Sequence, residues 1–204
     1  MRILVVGAGA TGGYFGGRLA EAGRDVTFLV RPGRAESLAR DGLRIESPHG
    51  NAKIHPQFLT AADVAAPYDV VLLTVKGYAL GRALEDIAPA IGPETTIVPV
   101  LNGMRHLDVL RARFGDGPVV GGVCIVSTHL EDDGRIVQLA DLQELIYGEI
   151  GGGTSPRVVA LDRALQGAGF SARLSEHIVR EMWEKWVMLA ALGGITCSMR
   201  GTIG

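Results

Sequence analysis

Aromatic side chains are scarce in this chain, at 5% of 204 residues. A core with so few rings is filled by small aliphatic groups, and alanine, valine, leucine and glycine dominate the composition. That mix suits an α/β protein whose parallel strands are buried on both faces. Cysteine is scarcer still: Cys124 and Cys197 stand far apart, with no Cys or His at ligand spacing. A disulfide framework and a metal site are therefore not expected, and a reducing, cytoplasmic setting is. Neither sign of charge prevails, since 20 basic against 22 acidic residues leave a net −2. A nucleic-acid partner is not expected from such a balance. Long hydrophobic runs are missing too. The longest, residues 186–195, carries a glycine pair and falls well short of the roughly 18 residues that span a bilayer. The N-terminus begins on a strand-like run instead of a cleavable leader, so no membrane partner is expected.

What is present is a regular alternation. Strand-like runs at 2–6, 25–30, 68–75 and 95–101 are interleaved with helix-like stretches at 14–22, 35–40, 80–91 and 104–114. Residues 43–59, broken by Pro48, Gly50 and Pro56, read as a small hairpin or loop excursion that ends in another strand. From Val119 the pattern changes. Runs at 119–128, 134–139 and 144–150 follow one another as three strands of a meander. After the break at 151–155 come a helix at 156–167, a short strand at 171–174 and a long helix from Glu176. The alternation predicts an open parallel sheet with helices on both faces over residues 1–174, and the start of an all-helical unit over 175–204.

Between the first strand and the first helix stands Gly7-Ala8-Gly9-Ala10-Thr11-Gly12. This is the spacing of a Rossmann-type dinucleotide loop. The first glycine makes the tight turn, the second lets backbone approach a pyrophosphate, and the third lets helix and strand pack closely. The end of the second strand selects the dinucleotide. An NAD site places a carboxylate there, whereas this chain has Arg31, suited to the 2′-phosphate of NADPH. A solvated loop arginine would look the same. Lys76 and Asn102 follow the third and fourth strands, at the carboxyl edge where open α/β sheets bind ligands, although both also suit plain turns.

Four segments occur in order: Gly7–Gly12, Val75-Lys76-Gly77-Tyr78, Leu101-Asn102-Gly103-Met104 and Trp183-Glu184-Lys185. Together they resemble the ketopantoate reductase (2-dehydropantoate 2-reductase) family across the whole chain. The resemblance implies an NADPH-dependent oxidoreductase of pantothenate biosynthesis that reduces a small 2-keto acid, and the apolar face around Trp186, Leu189 and Leu192 on the last helix makes a homodimer the expected state. It implies a Rossmann domain followed by a helical one, with substrate in the cleft between. It also implies that Arg31 holds the 2′-phosphate, that Lys76 and Asn102 line the nicotinamide and substrate cleft, and that Lys185 is the general acid. Two positions depart from the family pattern. Leu189 and Gly193 stand where members often carry asparagines for substrate, and the family's helical domain runs on to supply a serine and a glutamate. A related hydroxy-acid dehydrogenase with another substrate, and a non-catalytic NADP-binding fragment, therefore stay open as alternatives. His177 and Glu181 form an i, i+4 pair that reads as helix-surface pairing, and Glu181 and Lys185 share the same spacing.

Overall fold

The computed structural model describes residues 1–202. In chain order it runs β1 (Arg2–Val6), α1 (Ala10–Glu21), β2 (Asp25–Leu29), α2 (Pro32–Asp41), β3 (Leu43–Glu46), β4 (Ala52–Ile54) and β5 (Gln57–Leu59). It continues with β6 (Val70–Leu73), α3 (Leu80–Ile87), β7 (Thr96–Pro99), α4 (Arg105–Phe114), β8 (Gly121–Leu130) and β9 (Ile136–Gly148). Last come α5 (Pro156–Leu165), β10 (Ser171–Leu174) and α6 (Ile178–Met199).

The first sheet is parallel throughout, in the order β5-β2-β1-β6-β7. From β1 the chain moves outward to β2 on one side and later to β6 on the other. The β1/β6 boundary is thus the topological switch point, where ligands of doubly wound sheets bind. Alternate residues of β1 serve two cores. Ile3 and Val5 face one shared with Tyr14, Phe15 and Leu19 of α1, and Leu4 and Val6 face another shared with Leu84 and Ile87 of α3. The period-2 pleat makes this split, and burial on both sides explains the unbroken apolar runs.

α1 begins at Ala10, so the turn before it is shorter than the sequence suggested. Gly12 and Gly13, poor helix formers that looked like turn residues, are helical because tertiary packing requires them there. A Cβ on Gly13 would come within 2.3 Å of Ile136, one on Gly16 within 2.7 Å of Phe28, and one on Gly17 within 2.7 Å of Ile45. The helix is wedged between the first sheet and a second one.

That second sheet corrects the expected meander. Its order is β10-β9-β3-β4, with β8 also on β9. The runs at 134–139 and 144–150 belong to one strand, β9, which is antiparallel to β8 but parallel to β3 and β10. The apparent gap is a bulge: Gln143 lies opposite Val126 but Gln138 opposite Thr128, so residues 139–142 loop out. Gln138, buried, holds the bulge by donating from Nε2 to the carbonyls of Ala140 (2.7 Å) and Leu142 (3.3 Å). Its Oε1 accepts from the Tyr14 hydroxyl at 2.7 Å and from Ser47 Oγ at 2.6 Å. The hairpin expected within 43–59 is β3–β4, which joins this sheet, and the strand expected after it is β5, which joins the first.

The start of α6 seals the second core with Ile178 and Met182, and most residues from Trp183 onward are exposed. Among the described residues no helix is long and apolar enough to cross a membrane.

His106, on α4, is 4% exposed, and its Nε2 has no hydrogen-bond partner among the described residues. Burial pushes its pKa from 6.5 down to about 4, with Asp108 opposing weakly. The folded state therefore refuses a proton that the unfolded chain accepts. The stability this protects is complete above pH 6.5 and is lost as pH falls towards 4. Denaturant unfolding at pH 7 and pH 4.5 should differ by about 2–3 kcal/mol. His106→Phe should remove most of that difference.

Candidate active site

The site starts where β1 meets α1. Gly7 donates its N–H to the Leu29 carbonyl (2.9 Å) and adopts φ +99°, a left-handed value that only glycine takes easily. The first intrahelical bond of α1 runs from the Gly13 N–H to the Gly9 carbonyl (2.8 Å). The N–H groups of Ala10, Thr11 and Gly12 thus lie in the unpaired first turn, where the helix dipole favours an anion. Gly9 and Gly12 are glycines for different reasons. A Cβ on Gly12 would fall 2.2 Å from both the Gly7 carbonyl oxygen and Thr74 Oγ1, whereas one on Gly9 would meet nothing within 4 Å. Gly9 also has an ordinary φ of −86°. Its missing side chain makes no close approach among the described residues and leaves open space beside the loop. Gly12→Ala should therefore cost about 1–3 kcal/mol in thermal or denaturant unfolding, as overpacking does, and Gly9→Ala much less.

Thr74, at the end of β6, closes the loop from below by donating Oγ1 to the Val6 carbonyl (2.7 Å). A threonine in an apolar strand carries no local signature, so this role was not legible in the sequence. Arg31 caps the N-terminus of α2, is exposed, and makes no ion pair among the described residues. Pro32 at the first helical position fits its fixed φ.

Across the carboxyl edge of the first sheet opens a cleft of about 680 Å³. Ala10 and Thr11 stand at one side, Lys76 and Asn102 beyond the ends of β6 and β7, and Lys185 with Leu189 on α6 opposite. The structure thus brings Ala10, Thr11, Lys76, Asn102 and Lys185 into one cavity. Gly7, Gly9, Gly12 and Arg31 do not line it; the glycines sit in the adjoining loop and Arg31 lies past the end of β2. Leu189 makes an apolar wall, and Gly193, a turn further along α6, is outside.

Lys185 does not pair with Glu181. Its Nζ donates to the backbone carbonyl of Cys124 on β8 (2.6 Å), which aims the amine across the cleft. Burial raises the pKa of the Cys124 thiol, and the positive charges of Lys185 and Lys76 oppose that rise. Glu181 turns away to Arg173 (2.5 and 3.0 Å) and to Ser175 Oγ. These bonds, Arg173 foremost, hold its carboxyl below the usual range, and the charge of His177 acts on it in the same direction as a smaller influence. A backbone carbonyl that orients a lysine leaves no residue-type signal, so the role of Cys124 was not legible in advance.

A family model described as ketopantoate reductase PanE/ApbA matches residues 3–152. The chain belongs to this family. It is 41% identical to the uncharacterized oxidoreductase YkpB of Bacillus subtilis (strain 168), across all of this chain and 67% of that protein. To the 2-dehydropantoate 2-reductase of Mesorhizobium japonicum it is 28% identical, over 91% of this chain and 63% of the relative. The crystal structure of 2-dehydropantoate 2-reductase from Geobacter metallireducens GS-15 superposes with a TM-score of 0.89 at 30% identity. That match covers 98% of this chain and 66% of the other. The chain spans about two thirds of the length of these relatives.

Proposed function

We propose that this chain holds NADPH along the carboxyl edge of its first sheet and takes part in reducing a 2-keto acid to the 2-hydroxy acid. Ketopantoate is the first substrate to assay. The observation that carries the reading is the convergence of Lys185 Nζ, Lys76 and Asn102 on the cleft that opens at the first turn of α1. The residues suit the cofactor: open space at Gly9, unpaired N–H groups at Ala10, Thr11 and Gly12, and an exposed cation at Arg31. NADPH, when bound, supplies the hydride that reaches the keto carbon. Lys185 gives the proton that the developing alkoxide needs, and its ammonium stabilises the negative charge before transfer. Lys76 and Asn102 orient the reacting groups from the opposite edge. Residues 1–174 form the nucleotide-binding unit in this reading, and α6 opens the helical substrate unit.

NADPH should bind tenfold or more tightly than NADH, because one charge-assisted phosphate contact contributes on the order of 1.5–3 kcal/mol. Fluorescence titration of wild type and Arg31→Ala checks this. The variant should lose NADPH affinity and keep that for NADH, and equal dissociation constants in the wild type would sink the assignment. Leu189 on the cleft wall favours a second substrate reading, in which the 2-keto acid carries an apolar side chain. A panel of 2-keto acids scored by NADPH oxidation decides between the two.

A further inference from the structure

Arg34 played no part in the motif, yet its guanidinium joins three separate parts of the fold. Its Nε donates to the carbonyl of Ala8 inside the glycine loop (3.0 Å). Nη1 reaches Ser37 Oγ on the same helix (3.2 Å), and Nη1 and Nη2 both reach the carbonyl of Gly134 (3.3 Å each). Gly134 belongs to the turn between β8 and β9, so the side chain ties the loop of the first sheet to the second sheet.

We propose that Arg34 is a positioning residue for the dinucleotide, acting by fixing the peptide between Ala8 and Gly9. The inference rests on the reading of the glycine loop as a pyrophosphate site. A trans peptide is planar, with its C=O and N–H pointing in opposite directions. Holding the Ala8 oxygen therefore also holds the direction of the Gly9 N–H, at the place where the backbone is open to a ligand. Gly7 and Gly9 flank this region, and glycine imposes little rotational preference of its own. Without an anchor the loop would sample several peptide orientations, and binding would have to select one of them. The planar fork of arginine suits the task because all three of its nitrogens are engaged at once, Nε by Ala8 and the terminal pair by Ser37 and Gly134; a lysine ammonium offers no such fixed geometry. Arg31 differs in kind: it is exposed and free to meet the ligand directly.

Two ligand fragments separate the roles. ADP carries the pyrophosphate and lacks the 2′-phosphate; 2′-AMP carries the 2′-phosphate and lacks the pyrophosphate. Isothermal titration of Arg34→Ala and Arg34→Lys should show ADP affinity reduced about tenfold and 2′-AMP affinity changed by less than about threefold. NADPH and NADH should weaken by the same factor. Arg31→Ala should give the opposite pattern. The lysine variant keeps the charge and stem, so it decides the matter if the alanine variant does not fold. Unchanged ADP binding in a folded variant overturns the proposal, and so does equal weakening of ADP and 2′-AMP. If the wild-type chain binds none of ADP, NADPH and NADH, the dinucleotide reading itself falls and the clamp with it.

Discussion

Lys185→Ala should lower the rate of 2-keto acid reduction by about 10²–10⁴-fold and leave the dissociation constant of NADPH unchanged. That range is the usual contribution of a positioned general acid. The separation between rate and binding follows from place. Lys185 sits on α6, across the cleft from Ala10 and Thr11, and its Nζ donates to the Cys124 carbonyl. Removing the side chain frees that carbonyl at the edge of an open cleft, where water can satisfy it, so the fold should be little affected. Lys185→Arg is the informative companion. It keeps the charge, yet the guanidinium is effectively always protonated and surrenders no proton, so the rate should stay low. Stopped-flow measurement of NADPH oxidation, with fluorescence titration of the nucleotide on the same sample, reads both quantities. A variant that retained wild-type turnover would remove Lys185 from the mechanism.

Gly9→Val should weaken dinucleotide binding by on the order of 100-fold or more, the equivalent of about 2.7 kcal/mol, while the protein stays folded. No heavy atom lies within 4 Å of a Cβ built on Gly9, and its φ of −86° is one that any residue adopts. The Cβ therefore has open space within the described structure, and the branched side chain built on it would occupy the approach to the loop. Valine is a poorer N-cap than glycine, a difference of less than about 1 kcal/mol, or roughly 2–4 °C in a chain of this size. A thermal melt alongside a titration with NADPH tests the pair of statements. Normal binding by a folded Gly9→Val protein would make the loop a structural turn only.

These effects trace back to features of unequal visibility. The βα alternation of the first half was readable because each element declares itself locally. Runs such as Arg2–Val6 and Val70–Leu73 are apolar on both faces, and glycines or polar turns separate them from the helices. The dinucleotide loop was readable for the same reason, since its glycines and the elements on either side lie within one short stretch. Lys185 was a different case. Its residue type and its helix are ordinary, and only the resemblance to ketopantoate reductases set it apart.

Other features depended on partners far away in the chain. The helical state of Gly12 and Gly13 depends on how closely α1 approaches Thr74 and Ile136. The union of two strand-like runs into β9 depends on its pairing with β3, β8 and β10, and on the buried Gln138 that stabilises the bulge between them. The direction of Lys185 depends on a backbone carbonyl, and the tether of the glycine loop on an arginine that reaches the distant carbonyls of Ala8 and Gly134. Local periodicity records which face of an element is buried and where the chain turns, so it conveys the kind of fold and the loop that opens it. It does not record which element covers that face, and a backbone oxygen carries no mark of residue type. The second sheet, the aim of the lysine and the fixing of the loop were therefore decided by packing between segments distant in the chain.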